Sequence, residues 1–135
     1  MGVFDAIGIA GSGMTVYRTW LDAISDNLSN LSTVRPTNEP AFRAKYVVAQ
    51  SVENGAQGAG VKVAGIAQGS AAGRLVYEPA NPLADKDGYV RYPDIDMASQ
   101  MTQLIMAQRG YQANAAVVDR AREIYQAALQ IGRSS

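Results

Sequence analysis

Apolar residues recur at alternating spacings of four and three at the start of this chain, and this pattern constrains its fold more than any other feature. Such spacing places side chains on one stripe of an α-helix, as in the seam of a coiled coil. We therefore predict a helix from about Val3 to Ser32, on the order of 45 Å long. It should end before Pro36, because the residue that precedes a proline disfavours α-helical backbone angles. The predicted seam contains Val3, Ile7, Ala10, Met14, Tyr17, Leu21, Ile24, Leu28 and Leu31.

A second apolar helix is predicted from about Asp94 to Gly132. Either Asp94 or Asp96 can cap its first turn, and Gly132 is a plausible C-terminal stop. One seam of this helix contains Met97, Met101, Leu104, Tyr111, Ala115, Val118, Tyr125 and Leu129. A second seam contains Val117, Ala121, Ile124, Ala128 and Ile131. A helix with apolar surface on two sides needs more than one neighbour.

The segment between the helices differs in composition, since it contains all five prolines. The stretches 42–48, 61–66 and 74–77 are predicted to be short strands, and Asp87-Gly88 a turn. Residues 54–60, rich in glycine, are predicted to form a mobile loop.

The predicted fold class is therefore α+β, with two long helices paired like a coiled coil and a small β-rich insertion between them. Residues 1–34 and 94–135 would form one helical core domain, and residues 35–93 the insertion, which would project from one end. A lone helix pair leaves the second seam exposed. Burial of a large apolar residue contributes roughly 1.5–3 kcal/mol, so assembly with further copies or partners is expected.

Composition excludes several function classes. The 135-residue protein has no His and no Cys, which removes disulfides, zinc fingers, thiol nucleophiles and imidazole bases. Its 12 basic and 12 acidic residues balance, so nothing favours nucleic acid as a partner. The first basic residue is Arg18, which argues against a cleaved secretory signal, and no apolar run is long enough to insert directly into a membrane.

Three candidate sites have simpler structural interpretations. The glycine-rich stretch 8–13 lacks the strand and the Gly-Lys-Ser/Thr of a phosphate loop, so close helix packing is favoured. The aspartates at 85, 87, 94 and 96 do not match the spacing of a calcium loop and are better explained by a turn and a helix cap. The tyrosines at 77, 89 and 92 have no basic companions, which favours packing. We predict no catalytic, cofactor or metal residues.

Two stretches resemble the flagellar rod and hook axial protein family. Residues 26–45 contain an Asn-Leu-Ser-Asn run at the end of the first helix, followed by Arg-Pro and Phe-Arg-Ala-Lys. Residues 76–114 carry a longer and more specific pattern of prolines, tyrosines and acidic residues. The residues that carry the resemblance include Asn27, Leu28, Asn30, Tyr77, Glu78, Pro79, Asn81, Pro82, Asp85, Gly88, Tyr89, Tyr111, Gln112 and Asn114.

The resemblance implies a non-enzymatic subunit of the bacterial flagellar basal body, located in the proximal rod within the periplasm. It implies a helical tube that transmits torque to the hook, with contacts to further copies and to rod neighbours of the FlgB, FlgF and FliE types. It also implies export by the flagellar type III apparatus without a cleaved signal peptide. The alternative is a secreted helical adaptor that binds one partner with fixed stoichiometry.

Overall fold

Two long helices flank two small antiparallel sheets in the computed structural model, which describes residues 2–135. The elements are α1 (Val3–Ser29), β1 (Lys45–Asn54), β2 (Gln57–Gln68), β3 (Arg74–Tyr77), β4 (Tyr89–Tyr92) and α2 (Met97–Ser134). This arrangement confirms the predicted α+β class. Neither helix carries an apolar stretch long enough to cross a membrane.

The first helix ends three residues earlier than predicted. Asn30 leaves helical geometry with φ −108° and ψ 10°, and its side-chain oxygen accepts a hydrogen bond from the Thr33 hydroxyl at 3.0 Å. Polar side groups next to the backbone compete with helix continuation in this way. Leu31, placed on the helical seam by the sequence pattern, therefore lies in the turn beyond the helix.

The second helix begins at a cap and runs past its predicted stop. Of the two candidate caps, the structure uses Asp96, whose carboxylate accepts a hydrogen bond from the Ser99 backbone N–H at 2.9 Å. Gly132 remains helical, and the helix ends at Ser134. A helical glycine costs only about 1 kcal/mol relative to alanine, which is too little to end a helix by itself.

The predicted mobile loop at residues 54–60 is wrong, since most of it belongs to a paired hairpin. β1 and β2 pair from Lys45–Gln68 to Asn54–Gln57, with irregularities after Val48 and Val52. Gly55, at φ +66°, opens a two-residue turn in which no other residue has positive φ. Glycine at the first central position is typical of a type II′ turn, whose twist matches that of the strands.

The hairpin lies alongside α1 instead of projecting from one end, which corrects the predicted placement of the insertion. At one end the Lys45 N–H bonds Asn27 Oδ1 at 2.8 Å, and at the other the Val61 N–H bonds Ser12 Oγ at 3.1 Å. These two anchors on α1 are about 22 Å apart along the helix. Between them, apolar residues of both elements face a shared groove of about 460 Å³, which explains why the hairpin folds back.

The second sheet joins β3 to β4 with Arg74 opposite Tyr92 and Tyr77 opposite Tyr89. Its inner residue Val90 is fully buried. Arg35 forms a two-way backbone bridge with Arg91 on the free side of β4. This bridge attaches the sheet to the segment that follows α1. The chain then continues from β4 directly into α2.

Candidate assembly interface

The two helices pack antiparallel through small and polar residues of α2. Asn27 near the end of α1 contacts Gln100, and Phe4 near its start stacks edge-on against Tyr125 with ring centroids 5.1 Å apart. The most deeply buried residues on α2 are Gln100, Ala107 and Ala121. Short side groups allow the helix axes to approach closely, so the contact depends on shape more than on large apolar groups.

Two glycines complete this contact. A Cβ on Gly110 would overlap the Tyr17 ring, and a Cβ on Gly13 would lie 2.8 Å from Asn114 Oδ1. Asn114 is held in place by its own hydrogen bond to the Gly110 carbonyl at 2.9 Å. Each helix thus provides a notch that receives a larger residue of the other.

The residues of α2 that contact α1 form a stripe that runs between the two predicted seams. This corrects the expectation that α1 would cover one seam and leave only the other exposed. At 100° per residue, Met97 and Met101 lie on one side of the stripe, and Val117 and Ile124 lie on the other. These four residues are 59%, 41%, 46% and 63% exposed. α1 therefore covers neither seam of α2 fully, and apolar surface remains on both of its flanks.

The predicted seam residues fall into three groups by burial. Ala10, Ile24 and Ala121 are buried. The half-buried members are Val3, Ile7, Met14, Tyr17, Leu21, Leu28, Leu31, Leu104, Tyr111, Ala115 and Val118. The exposed members are Met97, Met101, Val117, Ile124, Tyr125, Ala128, Leu129 and Ile131.

The end of α2 extends beyond α1. Tyr125 packs on Phe4, which is the second helical residue of α1. Nine further helical residues follow Tyr125 and end at Ser134. That extension is about 14 Å long. All of its residues are exposed, including Ile131 at 70%, so it presents apolar groups to solvent.

Asn27 connects three elements. Its amide N–H groups donate to the Lys45 carbonyl at 2.9 Å and to Gln100 Oε1 at 3.1 Å, and its oxygen accepts from the Lys45 N–H. The residue is only 1% exposed. A side-chain amide has both donors and an acceptor. Asn27 can therefore form hydrogen bonds with the backbone at the start of β1 and with a side chain of α2 at the same time.

The other polar motif residues near the helices have local roles. Asn30 donates to the Asp26 carbonyl at 2.8 Å and so closes the end of α1. The Tyr111 hydroxyl accepts a hydrogen bond from Arg18 at 3.5 Å, and this bond raises the pKa of Arg18. Gln112 is exposed on α2.

A segment that we name the arm, residues 77–92, brings the remaining motif residues together. Glu78 accepts hydrogen bonds from Asn81 at 2.9 Å and from the Tyr92 hydroxyl at 2.8 Å. The hydrogen bond from Asn81 is the largest cause that lowers the pKa of Glu78, and the bond from Tyr92 is the second. The same bond to Glu78 raises the pKa of Tyr92. Glu78 therefore ties the start of the arm to its end.

Asp85 organises the predicted turn of the arm. Its carboxylate accepts the backbone N–H groups of Tyr89 and Asp87 at 2.9 Å each and the Thr37 hydroxyl at 3.0 Å. The bond from Tyr89 is the main cause that lowers the pKa of Asp85. Gly88 has a φ of +87°, a backbone conformation that favours glycine. A Cβ at this position would also lie only 2.7 Å from the Tyr77 ring.

The rest of the arm presents an aromatic pair and prolines to solvent. Tyr77 and Tyr89 stack edge-on at 5.4 Å and are 62% and 40% exposed. Pro79 and Pro82 are also exposed. The arm's polar residues thus act inside the fold, while its aromatic surface is free.

The acidic residues show no arrangement for metal chemistry. Asp85 and Asp96 are occupied by turn and cap bonds. Within residues 2–135, no three His, Cys, Asp or Glu residues converge in a group that could hold a metal ion.

Several contact residues escaped the sequence patterns. The centre of the helix contact is formed by Gln100, Ala107 and Gly110. A pattern based on large apolar residues does not include any of these three. The available signal was Gly110, because a glycine inside a helix costs stability and usually has a packing reason.

Known proteins resemble the chain over almost its whole length. It is 37% identical to the flagellar basal-body rod protein FlgC of Escherichia coli O157:H7 over 134 residues, covering 98% of this chain and 100% of that protein. The identity to FlgC of Salmonella typhimurium is 36% with the same coverage. FlgC of Bacillus subtilis is 30% identical over 98% of this chain and 100% of its own length. A family model described as the flagellar basal body rod FlgEFG protein C-terminal matches residues 86–131.

Proposed function

The chain belongs to the FlgC family of flagellar basal-body rod proteins and is a structural subunit of that rod, and from this premise we propose that it forms the proximal rod through its terminal helices. Copies would lie side by side in a helical tube within the periplasm, and the tube would transmit torque from the motor to the hook. The subunit has no enzymatic role in this proposal.

The exposed flanks of α2 carry the proposal. Met97 and Met101 on one flank, and Val117 and Ile124 on the other, remain open after α1 has packed between them. Burial of a fully exposed apolar side chain contributes roughly 1.5–3 kcal/mol, so covering the part of each residue that is still exposed contributes roughly half of that. Two open flanks on one helix support contacts to two neighbours, and repeated unlike contacts generate an open helical array.

The proposed interface comprises both flanks together with the half-buried seam of α1. Its members are Ile7, Met14, Tyr17, Leu21, Leu28, Leu31, Met97, Met101, Leu104, Tyr111, Val117, Val118, Ile124, Tyr125 and Leu129. Ile24, which the sequence pattern also placed in the interface, is only 1% exposed in the single subunit and belongs to its core. Residues 1–34 and 94–135 would act as the helical core of the rod wall, and residues 35–93 would lie further out. The motif residues of the arm would keep that outer part in shape.

We also propose the neighbours and the route. The subunit would contact further copies and rod proteins of the FlgB, FlgF and FliE types. It would reach the rod through the flagellar type III export apparatus without a cleaved signal peptide.

Cysteine labelling tests the proposed interface, because the sequence has no native Cys to interfere. In the purified subunit, Met101→Cys and Ile124→Cys should react quickly with a maleimide. In isolated basal bodies both should be protected, while Lys62→Cys on the hairpin should stay reactive. Equal reactivity of all three sites in basal bodies would reject the helices as the interface. Mass measurement adds a second criterion, because a small complex of fixed stoichiometry would support an adaptor instead.

A further inference from the structure

The tip of the β1–β2 hairpin contains a chemically unusual pair of residues. Asn54 ends β1, and Gly55 begins the turn that leads to β2. The other asparagines in the sequence, at 27, 30, 38, 81 and 114, are followed by Leu, Leu, Glu, Pro and Ala. Asn54 is thus the one asparagine followed by glycine, and both residues are exposed.

The local geometry leaves the reacting groups free. Within residues 2–135, no hydrogen bond holds the Asn54 amide group or the Gly55 backbone N–H. Gly55 has no Cβ to hinder approach to its nitrogen, and nothing lies within 4 Å of the Cβ position. Its backbone also explores conformations closed to other residues.

From this arrangement we infer that Asn54 is a site of spontaneous deamidation. The Gly55 nitrogen attacks Cγ of Asn54, a new C–N bond closes a five-membered succinimide, and the bond between Cγ and Nδ2 of Asn54 breaks. The proton from the Gly55 N–H leaves with the amide as ammonia. Water then adds to one of the two ring carbonyls and opens the ring to aspartate or isoaspartate. No oxidant or reductant takes part.

The product changes the contact between the hairpin and α1. Asn54, Gln57 and Gly58 line one side of a shallow groove whose other side includes Phe4 and Asp5 of α1. Deamidation places a second carboxylate in a groove that already contains Asp5. Like charges on facing elements repel each other, so deamidation should weaken the contact between the tip and the start of α1.

Peptide mapping tests the site directly. The purified protein is incubated in warm, mildly alkaline buffer, digested with trypsin, and analysed by mass spectrometry for a gain of about 1 Da and for isoaspartate. The fragment 46–62 should gain this mass at Asn54 at least about tenfold faster than the exposed Asn38 in the same sample, since Asn54 is followed by an unhindered glycine and Asn38 by Glu39. Equal rates at Asn54 and Asn38 would overturn the inference.

Substitutions separate the chemistry from its consequence. Asn54→Gln keeps the amide but requires a larger ring, and it should lose the mass gain; persistence of the gain would contradict the assignment. Asn54→Asp should increase hydrogen exchange at the Val61 N–H, which bonds Ser12, and adding Asp5→Asn should reverse that increase. Unchanged exchange in Asn54→Asp would overturn the proposed repulsion.

Discussion

The buried amide group of Asn27 in α1 donates a hydrogen bond to Gln100 in α2 at 3.1 Å. The same amide also pairs with both backbone polar groups of Lys45, where the hairpin begins. Three elements far apart in the sequence therefore meet at one residue, and the relative positions of the helices and the hairpin depend on it.

Replacing Asn27 with leucine should destabilise the subunit strongly. Asn27→Leu is close in size but leaves the buried Gln100 Oε1 and the part-buried Lys45 N–H and carbonyl without their partner. Each unsatisfied buried group costs about 1–3 kcal/mol. Urea unfolding should show a lower midpoint with an unchanged slope. The control Asn38→Leu changes an exposed asparagine and should stay within about 0.5 kcal/mol of the parent. Equal midpoints for the two variants would contradict the role of Asn27.

A methyl group at Gly110 should also be destabilising, although alanine favours helix. A Cβ at this position overlaps the Tyr17 ring, and forcing bulk into a packed contact typically costs about 1–3 kcal/mol. Thermal unfolding should therefore shift downwards in Gly110→Ala. The matched control is Gly8→Ala in α1, where the new Cβ meets nothing within 4 Å, and a gain of about 0.5–1 kcal/mol is expected. A stabilised Gly110→Ala would show that the notch is not tight.

Local patterns in the sequence predicted the elements but not how they meet. The seams predicted both helices because apolar periodicity depends on neighbouring residues alone. The register of the helix contact was missed because Gln100, Ala107 and Gly110 are small or polar and give no hydrophobic signal. The hairpin's return along α1 was missed for a related reason. It depends on Ser12 and Asn27 bonding strands far away in the sequence, which no local pattern records.

The arm should lose stability in acid. Hydrogen bonds from Asn81 and Tyr92 lower the pKa of Glu78 below its ordinary 4.5, and the Tyr89 N–H lowers the pKa of Asp85 below 3.8. A lowered folded pKa means that the contribution is present above the ordinary value and is lost as pH falls through the lowered one. Unfolding measured across this acid range should show a decline that is shallower in Glu78→Gln, which keeps one of the two acceptor oxygens and does not titrate. An identical decline in both proteins would exclude Glu78 as a source.

A carboxylate on the exposed flank of α2 should block assembly without unfolding the subunit. Ile124 is 63% exposed in the single subunit, so Ile124→Asp should change the free energy of unfolding by no more than about 0.5 kcal/mol. If a neighbouring copy covers this flank, an unpaired carboxylate would be buried there, which is costly enough to prevent the contact. The matched control Gln130→Asp adds the same charge at an exposed polar position of the same helix. In bacteria that lack the native protein, the control should restore motility and basal bodies, and Ile124→Asp should restore neither despite normal subunit levels. Intact rods containing Ile124→Asp would show that this flank remains open in the assembly and that the neighbours dock elsewhere.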